Sequence, residues 1–215
     1  FSDTSWYQGT ADAVRKNLNH FRNTNFDHVL ILSGDQLYRM DFREILNSHV
    51  TADADLTIAT IPVPAREATS LGLMQIDGWG RILRFAEKPK DPAVLDSFKM
   101  DRSTYQRYHI ARDEDLYLAS MGIYVFRRQV LFDLLNNQLT DFGKHIIPGA
   151  IGTHRVFSNV FQGYWEDIGT IRSFFEANLD CCADMPKFNF FDMVSPIFTR
   201  PRFLPASRSE EHTSE

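Results

Sequence analysis

The chain has 215 residues, 43% of them hydrophobic and 24% charged, with a formal net charge of −5. This is the profile of one sizeable globular domain, or of one domain and part of another. The excess of acid argues against non-specific nucleic-acid binding, which needs a basic face, and no apolar stretch reaches the roughly 18 residues of a membrane span.

The first residues, FSDTSWYQG, lack the basic start and apolar core of a signal peptide. The only two cysteines, Cys181 and Cys182, are adjacent, a spacing that suits neither a disulfide framework nor a metal site. The expectation is a reduced cytoplasmic protein. Thr10 is a candidate N-cap for a helix carrying Val14, Leu18 and Phe21 at helical spacing. Val29 to Leu32 then form an apolar run that reads as a buried parallel strand, ending at Ser33-Gly34 with Asp35 just beyond. Asp41-Phe42 opens a second helix with Ile45, Leu46 and Val50 on one face. Asp55 to Val63 is a strand, and Gly72–Ile76 and Arg81–Phe85 flank a Gly-rich turn as a hairpin.

Residues 90–116 are polar and read as a long surface insertion with room for a short helix. Ala119–Phe126 is a strand, Gln129–Leu135 a short helix, and 141–151 a helix starting near Asp141 and interrupted at Pro148. Val156–Phe161 is a strand, Tyr164–Gly169 a loop, and Thr170 caps a helix running to about Cys181. Prolines at 186, 196, 201 and 205 mark residues 186–207 as a linker. Arg208 to Glu215, RSEEHTSE, has no apolar periodicity and reads as a foreign tail. Strands alternating with helices, plus one hairpin, imply an α/β domain over residues 1–185 built on a mixed, mostly parallel sheet flanked by helices.

Ligands of open α/β sheets bind beyond the carboxyl ends of strands. Asp35 and Asp167 both stand in such positions, and two convergent carboxylates suit Mg²⁺, which prefers hard oxygen ligands. Lys88 ends the strand of the hairpin as a mobile point charge fit for a phosphate, and Glu87 beside it can accept hydrogen bonds from hydroxyls. Ser120, Gly122 and Tyr124 alternate along their strand, as a solvent face or a pocket lining would. Gln8-Gly9-Thr10 precede a helix N-terminus, whose free N–H groups favour anions. Asp141-Phe142-Gly143 matches a kinase triplet, but the catalytic loop and Gly-rich loop of kinases are absent.

Six segments occur in an order that resembles the sugar-1-phosphate nucleotidyltransferases. They are WYQGTADAV from Trp6, ILSGDQLYRMDF from Ile31, FAEKP from Phe85, ASMGIYVF from Ala119, DFGKHIIP from Asp141 and YWEDIGTIRSFFEANL from Tyr164. The resemblance implies a Rossmann-like catalytic domain that moves the adenylyl group of ATP to glucose 1-phosphate. The products would be ADP-glucose and pyrophosphate, for glycogen or starch synthesis. It implies Asp35 and Asp167 as ligands of Mg²⁺ and Lys88 as the sugar-phosphate lysine. Glu87, Ser120, Tyr124, Asp141, Phe142 and Trp165 would form the glucose 1-phosphate pocket, and Gln8, Gly9, Thr10 and Ala11 would lie against the nucleotide. It further implies that an N-terminal Gly-rich loop and a C-terminal β-helix domain are missing, leaving a fragment inactive by itself. The full-length enzyme would be a homo- or hetero-tetramer in the cytoplasm, or in the plastid of a plant. A UDP- or dTDP-glucose enzyme, a silent regulatory subunit and a binding module without catalysis are the competing expectations.

Overall fold

A computed structural model describes residues 6–111, 114–190, 192–194 and 196–197. The expected foreign tail and the end of the expected linker lie outside the described residues. The chain enters through α1 (Thr10–Asn17) and a single further turn, α2 (Asn19–Arg22). Gly9, rather than Thr10, occupies the N-cap position. A β-carbon at Gly9 would collide with the Thr140 carbonyl, which accepts from the N–H groups of Ala11 and Asp12. Thr10 is freed from capping, and its hydroxyl accepts from Phe142 N at 3.2 Å.

Strands β1 (His28–Ile31) and β2 (Gln36–Tyr38) precede α3 (Phe42–Thr51), which Asp41 caps by accepting from Arg43 N. Then come β3 (Leu56–Pro64), the single turn α4 (Ala65–Ala68), and the expected hairpin of β4 (Gly72–Ile76) and β5 (Ile82–Glu87). The polar insertion holds two short helices, α5 (Pro92–Asp96) and α6 (Arg102–Arg107). Each is started by an aspartate, Asp91 or Asp101, that accepts from the first turn. Strand β6 (Leu116–Arg127) and α7 (Arg128–Leu134) follow. Asp141 caps a π-helical turn, Phe142–Ile146, that runs into α8 (Ile147–Ile151). Strands β7 (Val156–Val160) and β8 (Trp165–Asp167) lead to α9 (Ile171–Cys181), where Thr170 and Ser173 form the expected cap as a reciprocal box.

The main sheet has the order β5-β4-β6-β3-β7, with β1 also paired to β6. Strands β1, β3, β4 and β7 run one way, and β5 and β6 the other. The sheet is thus mixed with a parallel majority of directions. Only β3 and β7 are parallel neighbours, because β6 lies between β3 and the other same-direction strands. The strand expected to be parallel and buried, β1, instead pairs antiparallel with β6 alone and leaves Leu30 exposed, because it has no neighbour on its other edge among the described residues. Helices cover both faces, so β6 is apolar on both. Tyr124 and Phe126 pack with Phe142, Ile146 and Ile147, while Ile123 and Val125 pack with Ile45 of α3. After α9, Phe188 is buried with its ring 6.1 Å from that of Tyr164, and Arg39 pairs with Asp192 at 3.2 Å. The expected linker therefore touches the domain at Phe188 and Asp192, while Met193 and Val194 are exposed.

One buried titratable group gives a stability prediction. His49 is 1% exposed, its Nδ1 lies 2.8 Å from Thr57 Oγ1, and its Nε2 has no hydrogen-bond partner among the described residues. Burial, aided by His28 and Arg127, lowers its pKa from 6.5 to about 4. The unfolded chain therefore binds a proton between those values that the folded chain refuses. Stability is full above pH 6.5 and falls by on the order of 2 kcal/mol by pH 4. Unfolding free energies in urea across this window should show that slope, and His49→Leu should flatten it. A wild-type profile already flat from pH 6.5 to 4 would mean that His49 is protonated in the fold.

Candidate functional site

The sheet is split along one edge of β6. Strand β4 pairs with it at Leu118–Ala119 and β1 at Tyr124–Arg127, leaving residues 120–123 without a strand partner on that side among the described residues. The β3 ladder also shifts register there, between Ile58 and Thr60. Gly122, at φ +69°, makes this irregularity possible. A side chain on it would press on Gln36 and Ser33. Beyond the end of β1 a crevice opens between Asp35 and the end of β5.

A small second sheet closes this crevice. Strands β2 and β8 pair antiparallel with Gln36 opposite Asp167, and Ile168 N donates to Asp35 O at 3.1 Å. The two acids are thereby set side by side. A β-carbon at position 169 would lie 2.9 Å from Asp167 Oδ1 and 3.5 Å from Asp35 Oδ2. Ser33 Oγ donates to Asp35 Oδ1 at 2.6 Å, and Gly169 N donates to Asp167 Oδ1 at 2.8 Å. Both carboxylates are exposed and hard, which fits a divalent ion whose other ligands are water and phosphate. Among the described residues no group of three or more His, Cys, Asp or Glu could hold a metal by itself. The pair would therefore depend on substrate oxygens.

Asp35, Lys88, Trp165 and Asp167 line one cleft of about 470 Å³. Lys88 has φ +48°, a backbone conformation costly for a residue with a β-carbon, and its N–H is held by Leu71 O. Trp165 is oriented by its indole N–H, which donates to Gln36 Oε1 at 3.1 Å. Beside the cleft, Glu87, Ser120, Tyr124 and Asp141 form a second cluster. Burial pushes the Tyr124 hydroxyl up to about 12, against the opposing hydrogen bond with Ser120, and Glu87 and Asp141 add to the rise. The hydroxyl stays protonated at neutral pH and can donate. Burial also raises the Glu87 carboxyl, with Lys88 opposing and Asp141 adding. Phe142 is buried, and its ring lies 5.5 Å from Tyr124 and 5.7 Å from Phe126, so it supports the pocket wall.

Gln8, Gly9, Thr10 and Ala11 adjoin this second cluster through Thr140 and Phe142. Two of the α1 N-terminal N–H groups are taken by Thr140 O, so this helix end offers less to an anion than its sequence suggests. Glu67 and Glu166, which are not among the residues expected from the sequence, also line the cleft. Glu166 sits between Trp165 and Asp167 and could have been suspected, whereas Glu67 carries no local signal. A separate hollow of about 500 Å³ lies at the opposite end of β1, lined by His28, Asp53, Arg127 and Arg128. Asp53 there is already paired with Arg127 and Arg155, so the charges of that group are largely spent on one another.

Two comparisons bear on this arrangement. The chain is similar to glucose-1-phosphate adenylyltransferase large subunit 1, chloroplastic/amyloplastic, of Zea mays, with 45% identity over 214 residues. That alignment takes in 96% of this chain but 41% of the maize protein, so the chain spans well under half the length of this relative. A family model described as nucleotidyl transferase matches residues 2–184, the stretch that holds both acids, the lysine and the whole sheet. With that match over most of its length, the chain belongs to the nucleotidyl transferase family.

Proposed function

We propose that this chain is part of the catalytic domain of an enzyme that transfers the adenylyl group of ATP to glucose 1-phosphate, giving ADP-glucose and pyrophosphate. The observation that carries this reading is the meeting of Asp35 and Asp167 in one cleft with Lys88, beside a cluster of hydroxyl-binding groups. The name of the maize relative supports the choice of nucleotide and sugar.

In this reading a phosphate oxygen of the sugar attacks the α-phosphorus of ATP. The bond from that phosphorus to the bridging oxygen breaks, and pyrophosphate leaves with the electron pair. No protein nucleophile is needed, so the residues act by positioning and charge neutralisation. Lys88 binds the sugar phosphate. Glu87 and Asp141 accept from sugar hydroxyls, Ser120 and the protonated Tyr124 hydroxyl can donate, and Trp165 forms a wall. Gln8 to Ala11 lie toward the nucleotide. Asp35 and Asp167 would hold Mg²⁺, which supplies positive charge to the phosphates when bound. The assembly this reading implies is a tetramer, homo- or hetero-oligomeric, and the cytoplasm or a plastid would be its place.

Retention of Asp35, Asp167 and Lys88 favours an active subunit over a silent one, although the relative is named a large subunit. The deciding experiment measures pyrophosphate release by the full-length protein with glucose 1-phosphate, Mg²⁺ and ATP, UTP, dTTP or GTP in turn. Release with ATP alone is expected. Preference for UTP or dTTP would replace the product, and silence with all four would favour the regulatory subunit. Lys88→Ala should raise the KM for glucose 1-phosphate by roughly 10²-fold, since one charged contact to the phosphate is lost. An unchanged KM would remove Lys88 from that contact.

A further inference from the structure

Glu87 is the last residue of β5 and lies opposite Gly72 in the hairpin ladder. Its carboxylate oxygen Oε2 is enclosed by two glycines from different parts of the chain. A β-carbon at Gly72 would lie 2.8 Å from that oxygen, and one at Gly143 only 2.5 Å, with Glu87 Cδ at 3.1 Å and Asp141 Oδ1 at 3.5 Å. Neither glycine adopts the left-handed backbone region, where Gly80 and Gly122 are the glycines found among the described residues. The backbone at 143 would therefore accept alanine, and the obstacle is the carboxylate itself. Gly143 is brought there by the π-helical turn, which Asp141 pins by accepting from Lys144 N at 2.8 Å. Such turns are rare and recur at functional sites.

We propose that Gly143 is a positioning residue for the sugar site: by presenting no side chain, it lets the Glu87 carboxylate seat between two backbone segments. With Oε2 enclosed, Oε1 would be the oxygen left to accept from the ligand. The slot sets both the depth of this acceptor and its distance from Asp141. This rests on the glucose 1-phosphate reading and deepens it, because it makes the π-helical turn a determinant of which sugar hydroxyl pattern the site accepts. A methyl group at 143 would drive the carboxylate into the space of the sugar. Shortening Glu87 by one methylene would relieve that clash.

The test uses the full-length protein and four forms: wild type, Gly143→Ala, Glu87→Asp and the double variant. Gly143→Ala should raise the KM for glucose 1-phosphate at least about tenfold, with kcat within about threefold and the melting temperature unchanged. The double variant should bind glucose 1-phosphate better than Gly143→Ala alone, a non-additivity expected only of groups in contact. A KM unmoved by Gly143→Ala, or a double variant as poor as two independent losses predict, overturns the proposal. A ¹³C titration of the Glu87 carboxyl is the readout independent of turnover. Its raised pKa should fall toward the ordinary value in Gly143→Ala as water reaches the displaced group, and an unchanged titration also overturns the proposal. If wild type fails to saturate with glucose 1-phosphate, the functional reading falls, while the titration still decides the seating of Glu87.

Discussion

Replacing Asp35 by asparagine is expected to lower pyrophosphate release by the full-length enzyme roughly 10³-fold while leaving its fold intact. Asparagine has nearly the shape of aspartate, so Oδ1 can still accept from Ser33 Oγ, and the backbone bond from Ile168 N to Asp35 O is untouched. What is lost is one of the two negative charges that meet at Gly169. A divalent ion held by one carboxylate and solvent is bound less tightly and less firmly placed. The same change removes the repulsion between two adjacent acids. Without metal, the variant should therefore melt no lower than wild type. Measured together, turnover should collapse and thermal stability should hold or rise. Near-normal turnover at saturating Mg²⁺ would exclude Asp35 from the metal, and a large drop in melting temperature would make the residue structural.

Phe126→Ala is expected to produce the largest loss of stability, about 3–5 kcal/mol. Phe126 is completely buried in β6, the strand to which β1, β3 and β4 all pair. Its ring lies 6.2 Å from Tyr124 and 5.7 Å from Phe142, so the cavity left by truncation opens directly behind the proposed sugar cluster. Domains of this size are stable by only about 5–15 kcal/mol, so a substantial unfolded population at 37 °C should follow. Urea unfolding of the two forms measures the difference. A cost below about 1 kcal/mol would show that the pocket wall collapses onto the gap without strain. Since Phe142 is shared between core and site, the variant should also weaken glucose 1-phosphate binding under conditions where it remains folded.

The sequence by itself determined the elements whose signal is local. The apolar run at Val29 to Leu32 marked a strand, though not its antiparallel pairing or its half-exposed face, and the period of α3 and α9, the Gly-rich turn of the hairpin and the Thr170 cap all depend on neighbours within one or two turns of chain. Six short segments in order were enough to recognise the nucleotidyl transferase family, and with it a list of residues to look for. Tertiary structure decided how those residues meet. Strands β2 and β8 have three residues each and pair across about 130 positions, so no local pattern could announce them. Yet their ladder is what sets Asp35 beside Asp167.

The same holds for the cap of α1. Thr10 is a sound cap by composition, but Thr140 reaches the helix end from a distant segment and satisfies it first. The split edge of β6 and the slot around Glu87 are likewise invisible in sequence. Each arises from the approach of two backbones, and a glycine marks only that something passes close by, without saying what. Local propensity is carried by a residue and its neighbours, whereas a site is a set of distances between segments, and those are fixed only when the sheet and its helices pack.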